Sequence, residues 1–162
     1  MTSLRCYIGG TIHDKRISDG TIPAIVEEAG FTVQSGWHHP TVYNDLGKDM
    51  TFDSRRSIAL ANFSDIDKSD LVLVVADTEH HLRGVHVEFG YAYAKEKLLV
   101  VVGNHLSLNT MCSVPGVFYS TLEGLPELLV DLREKESTFQ RNWSRPLSAL
   151  QLSGAKEVDL SS

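Results

Sequence analysis

Glu88, within Arg83-Gly84-Val85-His86-Val87-Glu88-Phe89-Gly90-Tyr91-Ala92, stands where a carboxylate can act as a nucleophile. The segment comes shortly after the apolar run Leu71-Val72-Leu73-Val74-Val75-Ala76, and Phe89 and Tyr91 to Ala94 suit a helix. That pattern puts Glu88 in about the first turn of a helix opening at the carboxyl end of a buried strand. Gly84 lets the chain turn closely into that helix. The positive end of a helix dipole favours an ionised carboxylate, which serves as a nucleophile or electrostatic partner better than as a proton donor. The same placement also fits a glutamate that merely complements the dipole, so the choice rests on what else gathers around it.

Other chemistry-bearing residues fall at the ends of apolar runs. Gly9-Gly10-Thr11 follow Cys6-Tyr7-Ile8, Trp37-His38-His39 follow Phe31 to Ser35, Asp77-Thr78-Glu79 follow Ala76, and Gly103-Asn104-His105 follow Leu98 to Val102. Open parallel sheets bind ligands at the carboxyl ends of their strands, so these residues converge on one edge. Trp37 is the candidate for stacking on a flat ring. Thr11, His13, Lys15 and Arg16 could hold a phosphate beside the glycine turn, or form a solvated loop. Neither G-x-x-x-x-G-K-[ST] nor G-x-G-x-x-G occurs, which argues against a P-loop enzyme and an ordinary dinucleotide dehydrogenase. His80, His81 and His86 flank Asp77 and Glu79, but their spacing matches no standard zinc motif, and we expect no metal and no cofactor.

Strand and helix signals alternate along the chain, as in an α/β fold with a mostly parallel sheet. Strands are expected at Cys6–Ile8, 31–35, 71–76, 98–103 and 117–119. Helices are expected from Thr21 to Ala29, stopped by Gly30; from a cap at Asp53 or Ser54 to Lys68; over 84–96; and from Leu122 to Leu132. On the second of these, Ala59, Asn62, Phe63 and Ile66 share a face, so the amide of Asn62 interrupts an otherwise apolar stripe and needs a partner. Residues 1–132 form one domain, and from Arg133 the chain turns polar, with Pro146 and a serine-rich end, as in a tail over 133–162.

With 162 residues, 42% apolar and 22% charged, the chain can bury a full core. Its 15 basic and 21 acidic residues, net −6, argue against a nucleic-acid polymer as partner, because such affinity comes from neutralising phosphates. Cys6 and Cys112 show no metal-ligand spacing and suggest reduced thiols. The absence of a membrane-length apolar stretch or a signal pattern at Met1 to Arg5 suggests a cytoplasmic protein with no membrane partner.

Three segments resemble the nucleoside 2-deoxyribosyltransferase superfamily, which includes deoxynucleoside 5′-monophosphate N-glycosidases. They are Tyr7-Ile8-Gly9-Gly10-Thr11-Ile12, Asp65-Ile66-Asp67-Lys68-Ser69-Asp70, and Gly84-Val85-His86-Val87-Glu88-Phe89-Gly90-Tyr91-Ala92, together spanning about residues 4 to 132. The resemblance implies a flavodoxin-like, Rossmann-like three-layer sandwich with a five-stranded parallel sheet in the order 2-1-3-4-5. It puts Glu88 in the nucleophile position, with Tyr7 orienting it and Asp77 or Asn62 assisting the departing base. Gly9, Gly10, Thr11, His13, Trp37, Asp65, Gly84 and Asn104 would line the substrate site.

The activity implied is cleavage of the N-glycosidic bond of a 2′-deoxyribonucleoside or its 5′-monophosphate through a glycosyl-Glu intermediate, with transfer to another base or to water. Homo-oligomers are also implied, with the segment from Asn104 to Val117 completing a neighbour's pocket. Two departures stand out. Asn62 replaces an aspartate common in the family, and Leu82 occupies a second position that is acidic in many transferases. A glycohydrolase of the NAD type and a nucleotide sensor without catalysis remain as alternatives.

Overall fold

In a computed structural model of the chain, residues 3–11, 13–38, 50–76, 82–104, 108 and 110–139 are described. Strands β1 (Leu4–Gly9), β2 (Phe31–Val33), β3 (Leu71–Ala76), β4 (Leu98–Gly103) and β5 (Val117–Ser120) alternate with helices. The helices are α1 (Lys15–Ser18), α2 (Thr21–Glu28), α3 (Phe52–Lys68), α4 (Arg83–Ala94) and α5 (Leu125–Phe139). All strand pairs are parallel, in the order β2-β1-β3-β4-β5, which is the expected flavodoxin-like sheet.

The sequence explains the layering. Every residue of β3 is buried, and so is β4 up to its last position, as a strand covered on both faces requires. Helix α2 packs with α5, and α3 with α4, which right-handed crossovers place on opposite faces of the sheet. Leu125, Leu128, Leu129 and Leu132 form a fully buried stripe at helical spacing on α5. None of the described helices is long and apolar enough to cross a membrane.

Several element ends differ from expectation. Thr51, not Asp53 or Ser54, caps α3 by accepting from the Ser54 N–H at 3.2 Å, while Asp53 sits in the first turn. Strand β2 ends at Val33, two residues early. Lys15 to Arg16 begin the one-turn helix α1 rather than extending a loop, capped by Asp14. Helix α5 starts three residues late, because Gly124 closes a turn on the Thr121 hydroxyl, and it runs seven residues past Leu132. Polar residues do not end a helix when neither Gly nor Pro intervenes. Arg133, expected to open the tail, lies inside α5 and donates to the Ala29 carbonyl at the end of α2 at 2.8 Å. Residues 140–162 lie outside the described residues.

Candidate active site

The strand order reverses between β1 and β3, and in open parallel sheets the carboxyl end of such a pair is where ligands bind. Tyr7 and Gly9 arrive there on β1, and Glu88 arrives on α4 after β3. The Tyr7 hydroxyl donates to Glu88 Oε1 at 2.9 Å, and Asn62 Nδ2, from α3, donates to the same oxygen at 3.3 Å. Among the described residues, then, both donors converge on Oε1. The other oxygen, Oε2, faces Gly9, where a Cβ would lie 3.0 Å from it. The absence of a side chain at Gly9 therefore leaves Oε2 uncrowded on that side.

The charge state of Glu88 departs from expectation. The residue is the sixth of α4, in the second turn, and no acidic residue occupies the first turn. The dipole effect falls off within one turn. Burial dominates instead and pushes the carboxyl from an ordinary 4.5 up to about 7, while the hydrogen bonds from Tyr7 and Asn62 pull it back. Tyr7 is completely buried. Burial first, and the Glu88 carboxylate second, hold its phenol protonated throughout the usual range, so it acts as a donor.

Other expected site residues take structural posts. Trp37, the expected stacking platform, is 7% exposed and belongs to the core, its indole N–H donating to the Ile8 carbonyl at 2.7 Å. Little ring face is left for a ligand. The Ser35 hydroxyl, 2% exposed, accepts from the Ile8 N–H at 3.1 Å. Ile8 thus meets two side chains where a strand ladder would have supplied backbone partners. This substitution explains why β2 ends early: the chain leaves the sheet without stranding the buried polar groups of β1. The role of Ser35 went unrecognised in the sequence, where it had the appearance of one more strand residue.

Asp65 is likewise engaged, accepting from Gln34 Nε2 at 3.2 Å and from the Gly36 N–H at 3.3 Å, which ties the end of α3 to the segment leaving β2. At Gly10 a Cβ would run into the Ile17 side chain, so this glycine serves close packing of α1 on the strand end. Gly84 is exposed inside α4, and a Cβ there would meet nothing within 4 Å, so it does not make the close turn expected of it.

Thr11 shapes a local turn, its hydroxyl accepting from the His13 N–H at 3.3 Å, and His13 is exposed. Arg16 is bound to the buried carboxylate of Asp14 by two hydrogen bonds, Nε to Oδ1 at 2.9 Å and Nη2 to Oδ2 at 2.6 Å. Much of its charge is therefore answered within the chain. Asn104 is exposed just past β4. The segment after it forms a 3-10 turn at Thr110–Cys112 and buries Cys112 in its own subunit. Asp77, Glu79, His80 and His81 lie outside the described residues.

Solved structures of two enzymes carry the same architecture. One is a 2-deoxyribosyltransferase from the psychrotolerant bacterium Bacillus psychrosaccharolyticus, with a TM-score of 0.55 and 16% identity over 72% of this chain and 84% of that one. The other is a CMP N-glycosidase from Clostridium botulinum, with a TM-score of 0.50 and 20% identity over 80% of this chain and 98% of that one. The chain has the fold of these enzymes. Both belong to the nucleoside 2-deoxyribosyltransferase-like superfamily, the one whose motifs the sequence resembles. No family model matches the sequence, and no curated protein matches it significantly. At such identities the likeness is one of fold, and fold alone does not fix activity.

Proposed function

We propose that the protein cleaves the N-glycosidic bond of a 2′-deoxyribonucleoside or its 5′-monophosphate, with Glu88 as nucleophile. The carrying observation is the asymmetry of the Glu88 carboxylate: Oε1 is held by Tyr7 and Asn62, and Oε2 lies beside Gly9, where no side chain crowds it. In the first step an Oε2 lone pair forms a bond to C1′ while the C1′–N bond breaks, its electron pair leaving with the base. Asn62 is committed to Oε1 and has no proton to surrender, so the proton for the base is assigned to Asp77. In the second step water, or the nitrogen of another base, attacks C1′ and gives its proton to the Asp77 carboxylate left by the first step, while the ester oxygen leaves. The Tyr7 and Asn62 donors stabilise the carboxylate as its charge returns.

Incubation with a panel of deoxynucleosides and their monophosphates, with and without a second base, tests the proposal. Release of a free base, or its exchange, is the expected result. Nicotinamide release from a dinucleotide alone would support the glycohydrolase alternative, and binding without turnover would support a sensor. The nucleotide arm decides whether Thr11, His13, Lys15 and Arg16 hold a phosphate. On Asp77→Asn, poor leaving bases should be slowed far more than good ones. Equal slowing of all bases would remove Asp77 from that role.

The assembly is proposed to be a homo-oligomer. Phe52 and Leu60 on α3 are 79% and 59% exposed, and Val87, next to Glu88, is 59% exposed. Large apolar groups left exposed on two packed helices are suited to covering by a second copy of the chain. Light scattering should give a dimer or larger, with Leu60→Glu shifting it toward monomer. A wild-type monomer would contradict the assignment.

A further inference from the structure

Beside the Asn62–Glu88 contact, helices α3 and α4 are joined by a second set of interactions that reaches no substrate. The rings of Phe63 and Tyr91 pack 4.6 Å apart between centroids. The Tyr91 hydroxyl donates to the Asp67 carboxylate, 3.0 Å from each oxygen. Lys95 Nζ lies 3.2 Å from Asp67 Oδ1 and 5.1 Å from the centre of the Tyr91 ring. Lys97 Nζ then closes the lower end of α3, donating to the Asp67 and Ser69 carbonyls at 2.8 Å and 2.6 Å.

The spacing links this seam to the site. Glu88 and Tyr91 are three apart on α4, Lys95 follows four residues later at its C-cap, and Phe63 and Asp67 are four apart on α3, with Asn62 next to Phe63. Such intervals line one face of a helix. The two helices run parallel, in step: residue 62 meets 88, 63 meets 91, and 67 meets both 91 and 95. A sliding or rotation of α3 relative to α4 therefore changes the 3.3 Å contact of Asn62 with Glu88 and the geometry of Asp67 with Tyr91 together. Apolar packing of Phe63 on Tyr91 tolerates such a slide, since it is non-directional. The hydrogen bonds of Asp67 do not.

We propose that Tyr91 and Asp67 are positioning residues that set the register of α3 against α4 and so hold Asn62 on Glu88 Oε1. In its catalytic consequences the proposal rests on the glycosidase function above, but the geometric claim stands apart from it. Among the described residues, the polar groups facing the Glu88 carboxyl are Tyr7 from β1 and Asn62 from α3. Loosening Asn62 removes one of the two hydrogen bonds that pull the carboxyl down.

Tyr91→Phe keeps the ring contact and removes the hydroxyl, so the variant should fold. Its kcat should drop about 10-fold with KM nearly unchanged, since sub-ångström misplacement of a reacting group costs on this scale. In an Asn62→Ala background the same change should cost little more, because the two substitutions act through one contact. Independently of turnover, carbon-detected NMR of the Glu88 carboxyl should show its titration midpoint moving upward in Tyr91→Phe. A midpoint that stays put while the melting temperature falls would reduce the seam to a structural brace and overturn the proposal. A midpoint that moves in a protein without glycosidase activity would keep the positioning role and reject the function instead.

Discussion

Glu88→Gln should abolish base release and at the same time make the protein more stable at pH 8. An amide cannot form the glycosyl ester, so the rate should fall by about 10³-fold or more. The stability gain follows from the environment of the carboxyl, which burial raises from 4.5 to about 7. Between those values the folded state retains a proton that the unfolded state has lost. Stability therefore declines as pH rises across that window, by about 1.4 kcal/mol per unit and up to about 3 kcal/mol in all. The amide of the variant would carry no charge to bury. Melting curves should show the variant ahead of the wild type at pH 8 and level with it near pH 4. A variant less stable than the wild type at pH 8, or a difference independent of pH, would contradict the account of the site.

Tyr7→Phe should leave the fold intact and cripple the nucleophile. The phenol ring stays in the core, while Glu88 Oε1 loses its shorter hydrogen bond, at 2.9 Å. Hydrogen bonds to charged groups contribute about 1.5–3 kcal/mol, which corresponds to about 10- to 100-fold in kcat/KM. The pH profile carries the sign. Attack needs the ionised carboxylate, so kcat/KM in the wild type should rise with pH through about 7. Because the Tyr7 hydrogen bond lowers that midpoint, its loss should move the acidic limb upward. Initial rates across pH 5 to 9 give both quantities, and an unmoved limb would remove Tyr7 from its place on Glu88.

The sheet was legible in the sequence because its strands are extreme. Leu71 to Ala76 and Leu98 to Val102 have no polar interruption, and only a strand covered on both faces tolerates that. The contact of Tyr7 with Glu88 was implied by the resemblance of their two motifs to the deoxyribosyltransferase superfamily, and the partner that Asn62 needed is Glu88. Less was visible where side chains replace backbone. Ser35 and Trp37 are separated from Ile8 by more than twenty-five positions, and nothing local marks them as partners of its N–H and carbonyl. Dipole arguments misjudged Glu88 because burial depends on what packs around a carboxyl, which periodicity does not reveal. Gly10 had the character of a ligand turn, whereas its contact is with Ile17 from a helix too short to announce itself. Asp65 was expected to line the substrate site, and it accepts from Gln34 and Gly36.

The central claim is that Glu88 bonds covalently to the sugar. Mass spectrometry of the protein after reaction with a 2-fluoro-substituted nucleoside or nucleotide, whose glycosyl ester resolves slowly, tests it most directly. The expected result is one sugar equivalent on the peptide containing Glu88, absent in Glu88→Ala. An adduct on another residue, or base release by Glu88→Ala, would contradict it.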